Sequence, residues 1–377
     1  MSTYAESGVD VDVEEQAAKI LYKAAKTTWA NRANALGEIV TPFDDFSGLR
    51  AIRVENLPTG TLMNVGFDGV GTKAEFAERS GHYESLAYDL IAMVADDAVI
   101  RGGEPVLVGS ILDINTLGTD DKRLEIIAAL ADGYTKAASQ AGVAIINGEL
   151  AQLGSRVSGY GDGFHLSWGA SCVWFANEQR MITGQEVSPG DTIIGLREPG
   201  LRSNGISLIR RVLEQKYGSK WHNQLLDGTP IIDLALAPSV IYSQALVDMF
   251  GGWNTGQPHR AKLHAAAHIT GSGLAGKLGR ALKPSGLGAS IDNPFDPPAL
   301  MTHIQEIGSV TDEEAYRTWH MGQGMVIITP EPHPVLAVAR AHRLEGQVIG
   351  TVTKSPQIRI SSRGAFAARS PWLSFPV

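Results

Sequence analysis

The sequence predicts an α/β protein, strands and helices in layers, divided into two domains. Three observations carry this reading. At 377 residues the chain is too long for one ordinary core. Short apolar strand patterns alternate with longer helical ones in both halves. The pattern then restarts behind the turn Ser188-Pro189-Gly190-Asp191. This places a boundary near residue 179, with domains over 1–178 and 179–377.

The elements follow in order. Glu14 to Thr28 carries Ala17, Ile20, Leu21 and Ala24 at helical spacing. Thr61 to Phe67 reads as a strand running directly into Asp68-Gly69-Val70-Gly71-Thr72-Lys73. Leu86 to Ile100 is a helix, Val106 to Ile114 a strand, Asp121 to Gln140 a helix, and Val143 to Asn147 and His165 to Phe175 are strands. In the second half come a strand over Thr192 to Leu196, a helix over Ile206 to Gln215, and Leu263 to Ile269 leading into a helix that ends at Leu282. Met325 to Ile328 and Gln347 to Thr351 are late strands, and the tail after Pro356 reads as peripheral.

Composition narrows the function. A formal net charge of -8, with no basic stripe, argues against a nucleic-acid partner. The single cysteine, Cys172, excludes an intrachain disulfide and lies in an apolar run. The acidic N-terminus lacks the features of a signal peptide, and no apolar run is long enough to span a membrane. The expectation is a soluble cytoplasmic protein. The 42 glycines cluster in short loops, as expected where backbone approaches a ligand.

The helix Leu86 to Ile100 is apolar nearly all round yet carries Asp89, Asp96 and Asp97, with no Lys or Arg of its own. Buried carboxylates without a partner are costly, so a positive group must compensate. A divalent cation is the economical candidate, with Asp68 as a further ligand, and oxygen-only ligands point to Mg²⁺. An exposed acidic face is the competing explanation. The turn Asp68-Gly69-Val70-Gly71-Thr72-Lys73 narrowly fails the P-loop pattern, because Thr72 precedes Lys73. It still combines glycines, a hydroxyl, a lysine and an acid, which suits phosphate and metal. In the second half, Ser203-Asn204-Gly205 and Thr270-Gly271-Ser272-Gly273 each open a helix after a strand. Such starts favour an anion, although helix capping alone also explains them.

Together these segments resemble aminoimidazole ribonucleotide synthetase. The resemblance is carried by Gly8-Val9-Asp10-Val11-Asp12, Asp68 to Lys73, the helix ending in Asp96-Asp97, and Gly103-Glu104-Pro105. Asn147-Gly148-Glu149, Ser203-Asn204-Gly205, Leu236-Ala237-Pro238, His268 to Gly273 and His320-Met-Gly-Gln-Gly-Met325 complete it, in order, over roughly residues 4 to 352. The resemblance implies a two-domain fold whose N-terminal strands form a shared barrel in a homodimer. It implies that ATP phosphorylates the formyl amide oxygen of formylglycinamidine ribonucleotide, after which nitrogen attacks that carbon and phosphate leaves. By the same resemblance Asp68, Asp89 and Asp97 hold Mg²⁺, while Asp68, Gly69, Gly71, Thr72, Lys73, Asp89 and Asp96 surround ATP. Lys73, Asp97 and His268 are the catalytic candidates. Glu149, Arg202, Ser203, Asn204, Gly205 and Thr270 to Gly273 (including Gly271 and Ser272) are the candidates for the ribonucleotide.

Three departures stand out. The glycine-rich loop of the family is Thr41 to Leu49 here, with one glycine and two acids. The family's Gly-Gly-Glu-Thr-Ala-Glu segment is Asn147 to Gln152, which exchanges a hydroxyl for Leu150 and an acid for Gln152. Arg202 replaces a histidine, gaining grip on phosphate and losing the capacity to shuttle a proton. Two other readings stay open: a sister ATP-dependent kinase or synthetase, and a non-catalytic nucleotide-binding paralogue.

Overall fold

The computed structural model describes residues 11–41, 50–118 and 121–377, without the side chain of residue 121. Gly8-Val9-Asp10 and nearly all of the Thr41 to Leu49 loop lie outside these residues. The first half is built on a four-stranded sheet of β1 (Thr61–Gly69), β2 (Glu104–Ile114), β3 (Ala144–Gln152) and β4 (Leu166–Asn177). Its spatial order is β1-β4-β2-β3, with only β2 and β3 parallel. Helices α1 (Val11–Thr28), α2 (Ala74–Ser80), α3 (Leu86–Val99) and α4 (Asp121–Ala141) belong to this half. Alternation along the strands sends Leu112, Trp168, Ala170 and Cys172 to the helix-covered side, where all are buried. The other side stays open: Phe67 is 78% exposed, Met63 60% and Ile111 57%.

The second half holds a seven-stranded sheet. It is made of β5 (Thr192–Arg197), β6 (Ala265–His268), β7 (Gly288–Ile291), β8 (Gln323–Thr329), β9 (Gly346–Thr353), β10 (Gln357–Ser361) and β11 (Trp372–Pro376). The order is β6-β8-β5-β9-β7-β10-β11, and only the β7/β10 pair is parallel. The tail after Pro356 is therefore not peripheral. It supplies two strands, and Ile358, Ile360, Leu373 and Phe375 are buried. Helices α5 (Ile206–Tyr217), α6 (Ser243–Phe250) and α7 (Gly273–Leu282) position the site.

One apolar core runs through both halves, from Leu90 on α3 to Leu201 and Ile206. Phe76 of α2 meets Trp221 edge to face at 5.1 Å. Beside it Arg79 bonds Glu75 and, at 2.8 Å, Glu214 of α5, while Arg210 bonds Glu75. No helix among the described residues is long and apolar enough to cross a membrane.

Candidate active site between the two halves

The turn after β1 sorts its residues by direction. A methyl group at Gly69 would lie 2.8 Å from the Trp168 carbonyl oxygen, and Gly71 has φ +56°, so only glycines allow this path. The path leaves Asp68 and Thr72 exposed and turns Lys73 fully inward. Asp68 accepts a hydrogen bond from the Gly69 N–H at 2.7 Å. Partial burial pushes its carboxyl upward, opposed by that bond. Thr72 lies 3.5 Å from the Ser207 hydroxyl at the start of α5, so the two halves meet here.

Lys73 does not reach toward phosphates. Its ammonium donates to Asp89 at 2.8 Å and to the carbonyls of Leu201 at 2.6 Å and Ala237 at 3.3 Å. Ser239 also donates to Asp89. Both Lys73 and Asp89 are fully buried, which corrects the expectation of a nucleotide-binding lysine and a metal-binding Asp89. The compensating charge comes from another element of the chain rather than from a cation. Asp96 is corrected in the same way. It is fully buried, accepts from the Tyr242 N–H at 2.9 Å, and faces Arg202 at 3.4 Å. Burial pushes its carboxyl up to about 7, against the Arg202 charge.

Arg202 is likewise no phosphate clamp. It is buried and bonds Glu198 at 2.6 Å, the Val240 carbonyl at 3.1 Å, and His268 Nε2 at 2.6 Å. Since guanidinium only donates, His268 Nε2 accepts, and its Nδ1–H donates to Asp97 at 2.7 Å. Burial and the Arg202 charge hold the His268 imidazole down to about 4. His268 is fully buried with both nitrogens engaged, so it cannot touch substrate and instead orients Asp97. Asp97 alone of the three acids on α3 is reachable, with a side chain 47% exposed. Burial would raise its carboxyl, but the His268 bond and the Lys277 and Arg202 charges hold it below the usual range.

The two glycine loops of the second half lean on one tryptophan. A methyl group at Gly205 would lie 2.4 Å from the Trp319 ring, whose Nε1 donates to the Gly205 carbonyl. Trp319 also accepts from the Leu274 N–H at 3.2 Å, which pins the start of α7. Gly273, at φ +59°, has the Tyr316 carbonyl where a side chain would stand, and Ser272 adopts φ +77°. Asn204 borders Gly271, its amide nitrogen 3.5 Å from where a Cβ would sit. The Ser203 hydroxyl and the Asn204 carbonyl oxygen are buried without partners. Thr270 is buried beside them.

Glu149 stands on edge strand β3 rather than in a loop. It is exposed, and with Asp68, Gly69 and Gly71 it lines a basin of about 760 Å³ on the open sheet face. Across β3 a cavity of about 320 Å³ lies under α1, walled by Tyr22, Tyr134, Trp168 and Ser110. Both hollows share Ser110, Asn147, Gly148, Glu149 and Trp168. Trp168 Nε1 is buried without a partner, the Tyr134 hydroxyl is buried beside Ser110, and Arg50 stacks over Tyr22 at 4.8 Å. Lys277 of α7, missed from the sequence, is half-buried with its charge acting on both Asp68 and Asp97. Its spacing of four from Gly273, one helical turn past the loop, was the available signal.

The chain matches the family models for AIR synthase related protein, N-terminal domain, over residues 50–173, and for its C-terminal domain over residues 188–362. It belongs to the AIR synthase related family. Among family relatives, the phosphoribosylformylglycinamidine cyclo-ligase of Thermococcus kodakarensis is 31% identical over 367 residues, covering 97% of this chain and 99% of that one. The cyclo-ligase of Trichlorobacter lovleyi is 32% identical over 86% of this chain and 87% of its own. The AIR synthase related fold extends to a hydrogenase maturation protein HypE solved in complex with ATP, at TM-score 0.55 and 15% identity, covering 87% and 88% of the two chains. It extends also to the thiamine-monophosphate kinase of Stenotrophomonas maltophilia, at TM-score 0.53 and 15% identity over 88% and 93%.

Proposed function

We infer that the protein is a phosphoribosylformylglycinamidine cyclo-ligase, forming a carbon–nitrogen bond with ATP in purine biosynthesis. The observation that carries this is likeness at about one residue in three along essentially the whole length of a cyclo-ligase, not of one domain. The geometry suits the chemistry. Phosphoryl transfer asks a protein for positioning and charge neutralisation more than for covalent steps. Phosphorylating the formyl amide oxygen turns it into a leaving group. The nitrogen then attacks the carbon, phosphate departs, and a proton is lost from the attacking nitrogen.

The basin and the cavity beside β3 suit ATP in sequence: a base against Tyr22, Tyr134 and Trp168, and phosphates toward Asp68. Asp68 at the end of β1 and Asp97 on α3 are the reachable carboxylates whose charges act on each other, and among the described residues no group of three or more metal-ligating side chains occurs. Mg²⁺ is commonly held by one or two carboxylates with substrate phosphates and water, so the pair fits. They would hold the ion, which would neutralise charge on the triphosphate. Asn204 and the Thr270–Gly273 loop are placed for the ribonucleotide, and Arg202 and His268 support Asp97 from behind.

The open sheet face supports a homodimer. Phe67 pairs in register with Ser171 and Ser171 with Gly109, two residues before Ile111, so Phe67, Met63 and Ile111 share that uncovered face. A second copy laid on it would complete a barrel and would wall the basin that Phe67 and Ile111 also line, so the nucleotide site would lie at the edge of the dimer seam. Changing Phe67 and Ile111 together to Glu is expected to convert dimers to monomers in sedimentation; an unchanged profile removes this assignment. A cytoplasmic location accords with this function. The decisive assay supplies Mg-ATP and formylglycinamidine ribonucleotide and follows ADP together with the diazotisable amine of the product. Equal yields are expected; ATP turnover without the amine would shift the reading to a sister kinase.

A further inference from the structure

The reachable carboxylates create a problem that the rest of the cleft must solve. A triphosphate or a ribonucleotide phosphate arriving between Asp68 and Asp97 meets negative charge from the first half. Lys73, inside its ion pair, offers nothing. Arg202 is enclosed by Glu198 and Asp96. The positive charge that does face this place comes from α7, in the other half of the molecule.

We propose that Lys277 is an anion-gripping residue of the active site, whose ammonium contacts a phosphoryl group of the reactants. Three observations meet here. First, Lys277 lies one turn beyond Gly273, and helical side chains tilt toward the N-terminus, so it reaches back over the Thr270–Gly273 loop. That loop is rigidly set by Tyr316 and Trp319. Second, the ammonium is half-buried, and its charge is felt by Asp68, Asp97 and His268. Among the described residues it nevertheless makes no ion pair within 4 Å and no hydrogen bond, unlike Lys73. A partly desolvated ammonium without a direct partner is costly, and a ligand placed between it and the carboxylates relieves that cost. Third, on the neighbouring loop the Ser203 hydroxyl, in a residue 8% exposed, and the Asn204 carbonyl oxygen lack partners. A group carrying both acceptor oxygens and hydroxyls, a sugar phosphate, answers all three.

The inference rests on the cyclo-ligase reading for the identity of the phosphoryl group. That group is either the one transferred from ATP or the 5′-phosphate of the ribonucleotide. Lysine suits both, as a compact charge with three donors. The test compares the full-length protein with Lys277→Met and Lys277→Arg, in steady-state assays of ADP and the cyclised amine. Lys277→Met is expected to lose about 100-fold in kcat/KM, as removal of a preorganised donor does, with Lys277→Arg recovering part. A fall in kcat at unchanged KM assigns the transferred group. A rise in KM for the ribonucleotide alone assigns the 5′-phosphate. Kinetics of Lys277→Met within threefold of an active wild type overturn the proposal. Should the wild type itself not cyclise this substrate, the cyclo-ligase reading fails separately. Lys277 is then judged by tripolyphosphate: a rise in unfolding temperature present in the wild type and lost in Lys277→Met upholds it, and equal or absent rises in both overturn it.

Discussion

Lys73 and Lys277 each stand within electrostatic reach of an aspartate on α3, and the two have opposite fates. Lys73 belongs to a conspicuous glycine motif, and it is sealed, with its charge spent on Asp89 and two carbonyls. Lys277 sits in an unremarkable helix, and it is half-exposed to the cleft and in direct contact with neither Asp68 nor Asp97. The difference teaches that a lysine's place in a motif does not tell which way it points. A closed pair contributes to joining the halves, and an open one is available to a ligand.

Breaking the closed pair should have the largest effect. Lys73→Met leaves Asp89 charged in a dry interior and is expected to cost about 3–5 kcal/mol of stability, read as a lowered urea midpoint. Adding Asp89→Leu should recover a good part of the loss, and a double variant no better than the single one would contradict the account. On the open side, Asp97→Asn should cut turnover by roughly 10²–10³-fold while the unfolding midpoint moves little. Undiminished turnover would remove Asp97 from the site.

The smallest effect concerns pH. His320 is buried, accepts from the Gly322 N–H, and is held down to about 3 by burial and the Arg202 charge. Its folded value lies below its unfolded value of about 6.5. Its contribution is therefore present above pH 6.5 and is lost progressively as pH falls from there toward 3. His320→Asn should flatten the decline in stability between pH 7 and 4.5 by on the order of 2 kcal/mol, measured as the difference in urea midpoints. Parallel curves for the two proteins would place the proton elsewhere.

Much of this was legible beforehand. Strand and helix order is readable because periodicity and glycine turns are local signals, and Asp68 at a strand end and Asp97 in an apolar helix are conspicuous for the same reason. What was not legible depended on distant chain. The counter-charge of Asp96 comes from Arg202, 106 residues away, so searching α3 for a basic partner could only return none. Val143 to Asn147 was cut short because Gly148 reads as a break. As an edge strand, β3 continues to Gln152, paired along β2 on one side only. The tail reads as peripheral because Arg359, Arg363 and Arg369 are spread along it, yet these are exposed while Ile358, Ile360, Leu373 and Phe375 are buried. Lys277 carried no motif at all.

The carbonyls that hold Lys73 have a consequence for how this protein can be taken apart or recombined. Leu201 and Ala237 belong to the second half, and they supply two of the three oxygens that the ammonium touches. The halves are therefore not interchangeable cassettes. A hybrid joining this first half to a relative's second half inherits a charge whose receptors must arrive within a fraction of an ångström, and a split chain leaves that charge without them. Compatibility at this seam, rather than the linker that crosses it, sets which exchanges give a working enzyme.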